Sequence, residues 1–365
     1  HKFSNAQQTV FIPFECVVSE NYEAHMIKEK IVVSFSGGKT SAYMAYWLIT
    51  TYGHIYEFIF IFANTGQECE ETLIFVDKCD KAFNLNVTWV EAVVNPIHGK
   101  GITHKVVNFK TAARNGEPFE AHIAKSGIPN ANKPQCSDRL KALPIEHYKK
   151  VNGLTGVKHA IGMRSDELNR VFPKQKRDTL KLIGIDADLW RIDTKEQRKL
   201  TLDAYSEDIE FIVDGFEASK DKKAFKSKVK SLYEHNRFNL IYPLCDWEEA
   251  DKQDVNTFWE DQEFTLELEE HQGNCKTCWK KSDKKLWLIA LEEPEKFTFM
   301  LNMEDKYQHV KPNDDGKPRV FFRKHRGVNE LMAEAEKLDS VTLRKMIGYK
   351  DDQESGCSES CEAYA

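Results

Sequence analysis

The sequence predicts an α/β chain: a doubly wound parallel sheet with a helical C-terminal region and a charged insertion. Three observations predict it. β-rich apolar runs alternate with helix-compatible runs through the first hundred residues, which implies parallel strands joined by right-handed crossovers. A run of mixed charge at 174–237 separates two regions that carry motifs. Beyond Ile241 the apolar residues recur at helical spacing.

The elements follow in order. The chain opens on His1 and reaches Met26 shortly before Ile31-Val32-Val33-Ser34-Phe35. Residues 1–25 are therefore set aside as an extension or an appended segment. Ile31–Phe35 is the first strand, and a helix follows from about Thr40 to Thr51. Phe58–Ala63 is the second strand. Glu71–Phe83 reads as a helix with Leu73, Val76 and Cys79 on one face, Val87–Val90 as a third strand and Val157–Met163 as a fourth. Pro96–Pro134, rich in Gly, Asn and Lys, is expected to be loops and short helices over the carboxyl edge of the sheet. Residues 174–237 read as an inserted, mostly helical subdomain, and residues 238–350 as the helical C-terminal region, with helices at Glu248–Glu260 and Ser282–Glu292. Residues 351–365 read as a polar, acidic tail.

Composition narrows the class. Hydrophobic residues at 41% and charged residues at 30% are globular values, which exclude global disorder. A net charge of −6 gives no whole-chain reason to expect nucleic acid, although a local patch stays open. No apolar run approaches the ~20 residues of a spanning helix, so no membrane is expected. Nine cysteines are too sparse, and odd in number, for a secreted disulfide scaffold. A reducing, cytoplasmic compartment is expected, with some thiols held for metal or redox work.

Ser36-Gly37-Gly38-Lys39-Thr40-Ser41 lies between the first strand and its helix. Two glycines let the backbone turn tightly around an anion, the helix offers unpaired N–H groups, and Lys39 with three hydroxyls adds donors. A Walker A reading fails because Val33 stands where that motif needs glycine. Arg164 and Arg170 follow the fourth strand, on the edge where open α/β sheets bind ligands. Guanidinium forks suit sulfate or phosphate, and Lys141 adds a point charge. The competing reading of these arginines is ion pairing with Asp166 or Glu167. Asn64 and Glu68 on the second strand's exit loop could hold ribose hydroxyls or a metal, or simply cap the loop. Cys275-Lys276-Thr277-Cys278 places two thiolates where they could share one soft ion, zinc or an iron–sulfur cluster.

Ser36–Ser41 resembles the pyrophosphate-binding loop of the PP-loop ATP pyrophosphatases, with Thr40 in place of the usual Asp. Three further segments narrow the resemblance to the phosphoadenosine phosphosulfate (PAPS) reductase branch: Asn64-Thr65-Gly66-Gln67-Glu68, Cys136-Ser137-Asp138-Arg139-Leu140-Lys141, and Gly162-Met163-Arg164-Ser165-Asp166-Glu167 with Arg170. They occur in that family's order over roughly 31–281, the insertion apart. The resemblance implies a PP-loop, HUP-like fold and an adenine nucleotide held by Ser36–Ser41, Asn64, Glu68, Lys141 and Arg164. It also leans toward a [4Fe–4S] cluster, with zinc as the alternative, on Cys136, Cys245, Cys275 and Cys278.

Two chemistries share this architecture. In a sulfonucleotide reductase, a tail thiolate, here Cys357 or Cys361, attacks the sulfur of an adenylyl sulfate and thioredoxin or a second thiol releases sulfite. Lys39, Arg164, Arg170 and Lys141 would then stabilise the transferring group. In the alternative, ATP with Mg²⁺ adenylates a nucleic acid or small molecule, pyrophosphate leaves and sulfur replaces the activated oxygen. A non-catalytic nucleotide-binding protein is the third reading. Thioredoxin or another sulfur or electron donor, and a second copy of the chain, are the expected partners.

Overall fold

The structure is a computed structural model and describes residues 28–233, 238–273, 275–312, 316–350 and 364. Strand β1 (Glu29–Ser34) leads into α1 (Lys39–Tyr52), β2 (Tyr56–Asn64), α2 (Glu70–Phe83) and β3 (Thr88–Val94). An edge strand β4 (Ile102–Val107), helix α3 (Glu117–Ser126), a π-helical turn (Asp138–Ala142) and α4 (Leu143–Val151) precede β5 (Lys158–Ala160). The sheet order is β4-β3-β2-β1-β5-β6, where β6 is Leu240–Ile241. Among the described strands, only β4 runs antiparallel to its neighbour.

The chain moves from β1 through β2 to β3 in one direction, then returns to lay β5 on the other side of β1. That reversal makes the gap between the carboxyl ends of β1 and β5 the switch point, where such sheets bind ligands. The central strands are buried on both faces, which explains their continuous apolar runs. Ile31, Val33, Phe60 and Phe62 pack with residues of α1 and α2 such as Ala45, Leu48, Phe75 and Val76. Val32, Ile61, Ala63 and Val90 face the other way, against Ile145 of α4.

Two expectations need correction. The stretch expected to hold only loops and short helices contains β4, whose faces alternate between half-buried and exposed. Ile102-Thr103-His104-Lys105 hides its strand character because an edge strand exposes polar side chains. The fourth strand is also shorter than Val157–Met163, because the chain leaves the sheet after Ala160. It then passes so close to the first loop that a Cβ on Gly162 would lie 3.1 Å from the Ser41 Cα.

The region after β5 is helical. Helix α5 (Leu168–Val171) leads to α6 (Lys174–Ile183), α7 (Ala187–Ile192), α8 (Lys195–Ala204), α9 (Ser206–Gly215) and α10 (Ser219–Tyr233). They share a cluster of their own, around Leu180, Trp190, Leu202, Phe225 and Leu232. Helices α11 (Pro243–Asp246) and α12 (Lys252–Glu260) return to the sheet, α12 placing Val255 and Trp259 in the α1–α2 core. Beyond them, α13 (Asp283–Glu292), α14 (Thr298–Tyr307) and α15 (Val328–Ala335) build a further core against Phe119 and Ile123 of α3, and α16 (Ser340–Lys350) packs on α13. Among the described residues, no helix is long and apolar enough to cross a membrane.

Candidate active site

The loop between β1 and α1 is held open from within. The Ser41 hydroxyl donates to the Gly38 carbonyl at 2.9 Å and accepts from the Ser36 amide and hydroxyl at 3.2 and 2.9 Å. Gly37 sits at φ +83° with Thr72 and Val76 of α2 pressed against it. Helix α1 has an extended Gly38 at its N-cap, no side-chain cap and no acid in its first turn. Its opening N–H groups are left for an anion, with the positive end of the helix dipole behind them. The Trp259 indole donates to the Lys39 carbonyl at 3.0 Å and ties the start of α1 to α12.

Arg164 reaches this loop from the other side of the switch point. Its Nη1 donates to Thr40 Oγ1 at 3.2 Å, while Nε and Nη2 grip Asp166 at 2.8 and 3.2 Å. The position where PP-loops usually carry an acid therefore holds a hydroxyl that accepts from an arginine. Glu167 accepts from the Arg164 amide and from the Arg170 guanidinium. Arg170 is ion-paired to Glu167, which also lies 3.5 Å from Arg164 Nη1.

Asn64 and Glu68 are committed to the protein. Fully buried Asn64 donates to Glu91 at 2.7 Å and to the Ala113 carbonyl at 2.9 Å, and accepts from the Gly66 amide. Glu68 accepts from the Thr65 amide and hydroxyl, with Lys141 Nζ at 3.9 Å. Both side chains hold the exit loop of β2 in shape, as the capping alternative expects. The π-helical turn after Cys136-Ser137 carries Lys141 inward, and such turns recur at functional sites.

Cys136, Cys275 and Cys278 line one small cavity with Thr65 and Lys141. The cysteine-pair loop is stitched to the β2 exit loop by a Glu68–Cys275 backbone bridge, a hydrogen bond from the Lys276 amide to the Gln67 carbonyl at 2.9 Å, and a 3.6 Å contact between Thr65 Oγ1 and Cys275 Sγ. Cys245 is elsewhere. Its thiol donates to the carbonyls of Met163 and Arg164 at 3.2 and 3.1 Å and packs with Ile161 and Val171. Burial pushes this thiol up to about 12, and Cys245 is not among the residues that line the cavity of the other three. The expected four-thiolate site therefore does not assemble. The cavity shared by the other three measures about 20 Å³, room for about one water molecule. Among the described residues no group of three or more His, Cys, Asp or Glu is arranged to hold a metal ion. The described cysteines by themselves do not bring four thiolates together for a [4Fe–4S] cluster or zinc. Cys357 and Cys361 lie outside the described residues.

Three features were not anticipated from sequence. Glu91, fully buried, takes the Ala113 amide at 2.6 Å, Asn64 and Lys105; an acid inside the apolar run Trp89-Val90-Glu91-Ala92-Val93 was its signal. A cleft of about 560 Å³ opens beside the β2 exit loop, between the start of α2 and α14. The third is Tyr364, three residues past Cys361. Its hydroxyl donates to Glu146 at 2.6 Å, and its ring meets those of His159 and Phe238. His159, fully buried, contacts the Ser34 hydroxyl through Nε2 at 2.9 Å, and burial holds its pKa well below the usual histidine range. Nothing in the acidic tail marks Tyr364 as a packing residue.

Comparison with known proteins agrees with this geometry. No solved structure matches the chain. The "uncharacterized nin region protein ORF290" of Escherichia phage lambda is 26% identical over 344 residues, which span 91% of this chain and 94% of the phage protein. The "uncharacterized protein MJ0066" of Methanocaldococcus jannaschii is 26% identical over 159 residues, 43% of this chain and 27% of that protein. Residues 30–266 match the family model of the phosphoadenosine phosphosulfate reductase domain. That span runs from β1 through the phosphate loop, Arg164 and the returning α12, so the chain belongs to the phosphoadenosine phosphosulfate reductase domain family.

Proposed function

We propose that this protein is a thiol-dependent reductase of an adenylyl sulfate. The carrying observation is the uncapped N-terminus of α1, framed by Gly37 and Gly38 and flanked by the Arg164 guanidinium on Thr40. An anionic group of the nucleotide sits against these amides, and Lys39, Arg164 and Lys141 supply positive charge around it.

In the reaction, a cysteine thiolate attacks the sulfate sulfur. The bond from sulfur to the nucleotide's phosphate oxygen breaks, and the nucleotide leaves with that electron pair. A second thiolate attacks the cysteine sulfur of the resulting thiosulfonate. A disulfide forms and sulfite departs with the bonding pair, so two thiols are oxidised while sulfur is reduced by two electrons. Cys357 and Cys361 are the proposed thiols, with thioredoxin restoring them. Support for Cys361 is the seat of Tyr364: three residues reach at most ~11 Å, and its neighbour His159 bonds the strand that feeds the phosphate loop.

One observation favours a second reading, ATP-dependent adenylation followed by sulfur transfer. Cys275 and Cys278 sit on a loop bonded directly to the β2 exit, beside Lys141, as an internal sulfur carrier would. The two readings separate in one experiment. Purified protein is given adenosine phosphosulfate or its 3′-phosphorylated form with reduced thioredoxin, and separately ATP with Mg²⁺. Sulfite that disappears in Cys361→Ser or Cys357→Ser carries the first reading. Absence of sulfite from both substrates, with pyrophosphate released from ATP, overturns it in favour of the second.

A further inference from the structure

We infer that α10, with the facing edge of α6, is a binding surface for the phosphodiester backbone of a nucleic acid. The inference is independent of the reaction assigned above.

Helix α10 has the sequence SKDKKAFKSKVKSLY, six lysines against one aspartate, on a chain whose net charge is −6. Phe225, Val229 and Leu232 fall at i, i+4 and i+7 and are buried in the insertion's own core. The lysines are left around the remaining circumference, so this is not a membrane-surface helix, whose apolar stripe would be available to lipid. Lys222 and Lys226 lean onto acids of the neighbouring α9, Asp214 at 4.0 Å and Glu210 at 3.8 Å. Lys220, Lys223 and Lys228 are exposed and have no ion-pair partner among the described residues. Lys174, at the start of α6, is exposed and likewise without one.

The second observation is the shape between the two helices. A groove of about 450 Å³ runs where α6 meets α10, with Lys174 and Lys228 both on its wall, beside Gln175 and a single acid, Asp178. Eight residues from Lys220 to Lys228 span ~12 Å of helix. A duplex presents roughly seven phosphates over that length. Ammonium groups on flexible stems suit such a repeating anion as point charges, without base recognition. Association is therefore sequence-independent and strongly dependent on salt.

The test uses the full chain and a fluorescein-labelled 20-base-pair DNA duplex and RNA hairpin, read by anisotropy from 50 to 200 mM salt. The wild type is expected to bind both with a steep salt slope. The quadruple variant Lys174→Glu, Lys220→Glu, Lys223→Glu, Lys228→Glu should bind at least ~10-fold more weakly, and its slope should flatten by ~3. The corresponding four Lys→Gln changes, which add no repulsion, should flatten the slope by a similar amount. Calorimetry with adenine nucleotides should give unchanged affinity in both variants, which separates a failure here from a failure of the nucleotide site. Wild type that does not bind at 50 mM salt, or quadruple variants that match wild type in slope, would overturn the proposal. So would displacement of the duplex by poly-glutamate at an equal concentration of charge, which assigns the surface to an acidic protein.

Discussion

Replacing Gly37 by alanine tests the phosphate loop at its tightest point. Gly37 has φ +83°, where a Cβ costs roughly 1–2 kcal/mol. The added methyl would also lie 2.7 Å from Thr72 Cγ2 and 3.1 Å from Val76 Cγ2. Thr72 is buried and fixed on α2, so it cannot swing away. Overpacking of this kind costs about 1–3 kcal/mol. The two contributions act on different atoms, so Gly37→Ala should lose roughly 2–5 kcal/mol in urea denaturation, with the slope against denaturant unchanged. They can be separated. Thr72→Ser deletes the Cγ2 that is struck and leaves the backbone angle as it was. In that background the cost of Gly37→Ala should shrink by about 1 kcal/mol or more, while the backbone part persists. Nucleotide affinity should fall with stability, because relieving the clash means moving the loop. A Gly37→Ala protein within ~0.5 kcal/mol of wild type, or a cost untouched by Thr72→Ser, would refute the packing argument.

The other predictions rest on single contacts. Arg164→Ala removes a charge-assisted donor at the loop and should weaken adenine nucleotide binding by about 10- to 100-fold by calorimetry; a change under ~3-fold would remove Arg164 from the site. Tyr364→Phe leaves Glu146 without the donated hydroxyl and should cost about 1–3 kcal/mol in urea denaturation. Burial, then Glu146, pushes the Tyr364 hydroxyl up, so the unfolded chain ionises first. Stability should therefore fall as pH rises past about 10, less steeply in Tyr364→Phe. Burial holds His159 well below its ordinary range and lowers His122 to about 4. Unfolding then takes up protons, and stability should decline as pH drops from about 6.5 toward 4, at roughly 1.4 kcal/mol per unit for each histidine. His159→Gln should flatten that acid limb, and an unchanged limb would mean His159 is charged in the fold. Finally, Cys245→Ala should leave the metal content of purified protein, measured by elemental analysis, equal to that of wild type; a loss would return Cys245 to the ligand set.

The parts of this fold that could be read in advance are those where one constraint dominates. Strands β1 and β2 are buried on both faces and the helices beside them on one, so burial alone writes their sequences. The phosphate loop was legible because tight turn and anion contact both demand glycine, and Gly37 meets that demand through its positive φ. Where two demands compete, the sequence is ambiguous. Cys245 is as suitable for packing as for ligation, and its neighbours Leu244 and Asp246 favour neither. Asn64 and Glu68 lie in a loop motif where polar side chains serve capping as well as ligands, and their partners Glu91 and Thr65 cannot be read from the sequence. Strand β4 alternates only between half-buried and exposed positions, so no apolar face marks it, and Tyr364 owes its place to three segments far away in the chain.

The phosphate loop and the cysteine loop are tied to the same short segment, 64–72. At its far end Thr72 presses on Gly37, in its middle Glu68 pairs with the backbone of Cys275, and at its near end Asn64 hangs from Glu91. Gly66 has no room for a side chain because the Gly116 backbone lies 3.0 Å from where its Cβ would be. A segment clamped at residues 64, 66, 68 and 72 transmits displacement rather than absorbing it, since packed interiors yield little. The two loops therefore behave as one rigid unit built on β2. Under the proposed function, the Asn-Thr-Gly-Gln-Glu stretch, whose side chains point into the protein, holds the thiol pair and the amides at the start of α1 at a fixed separation.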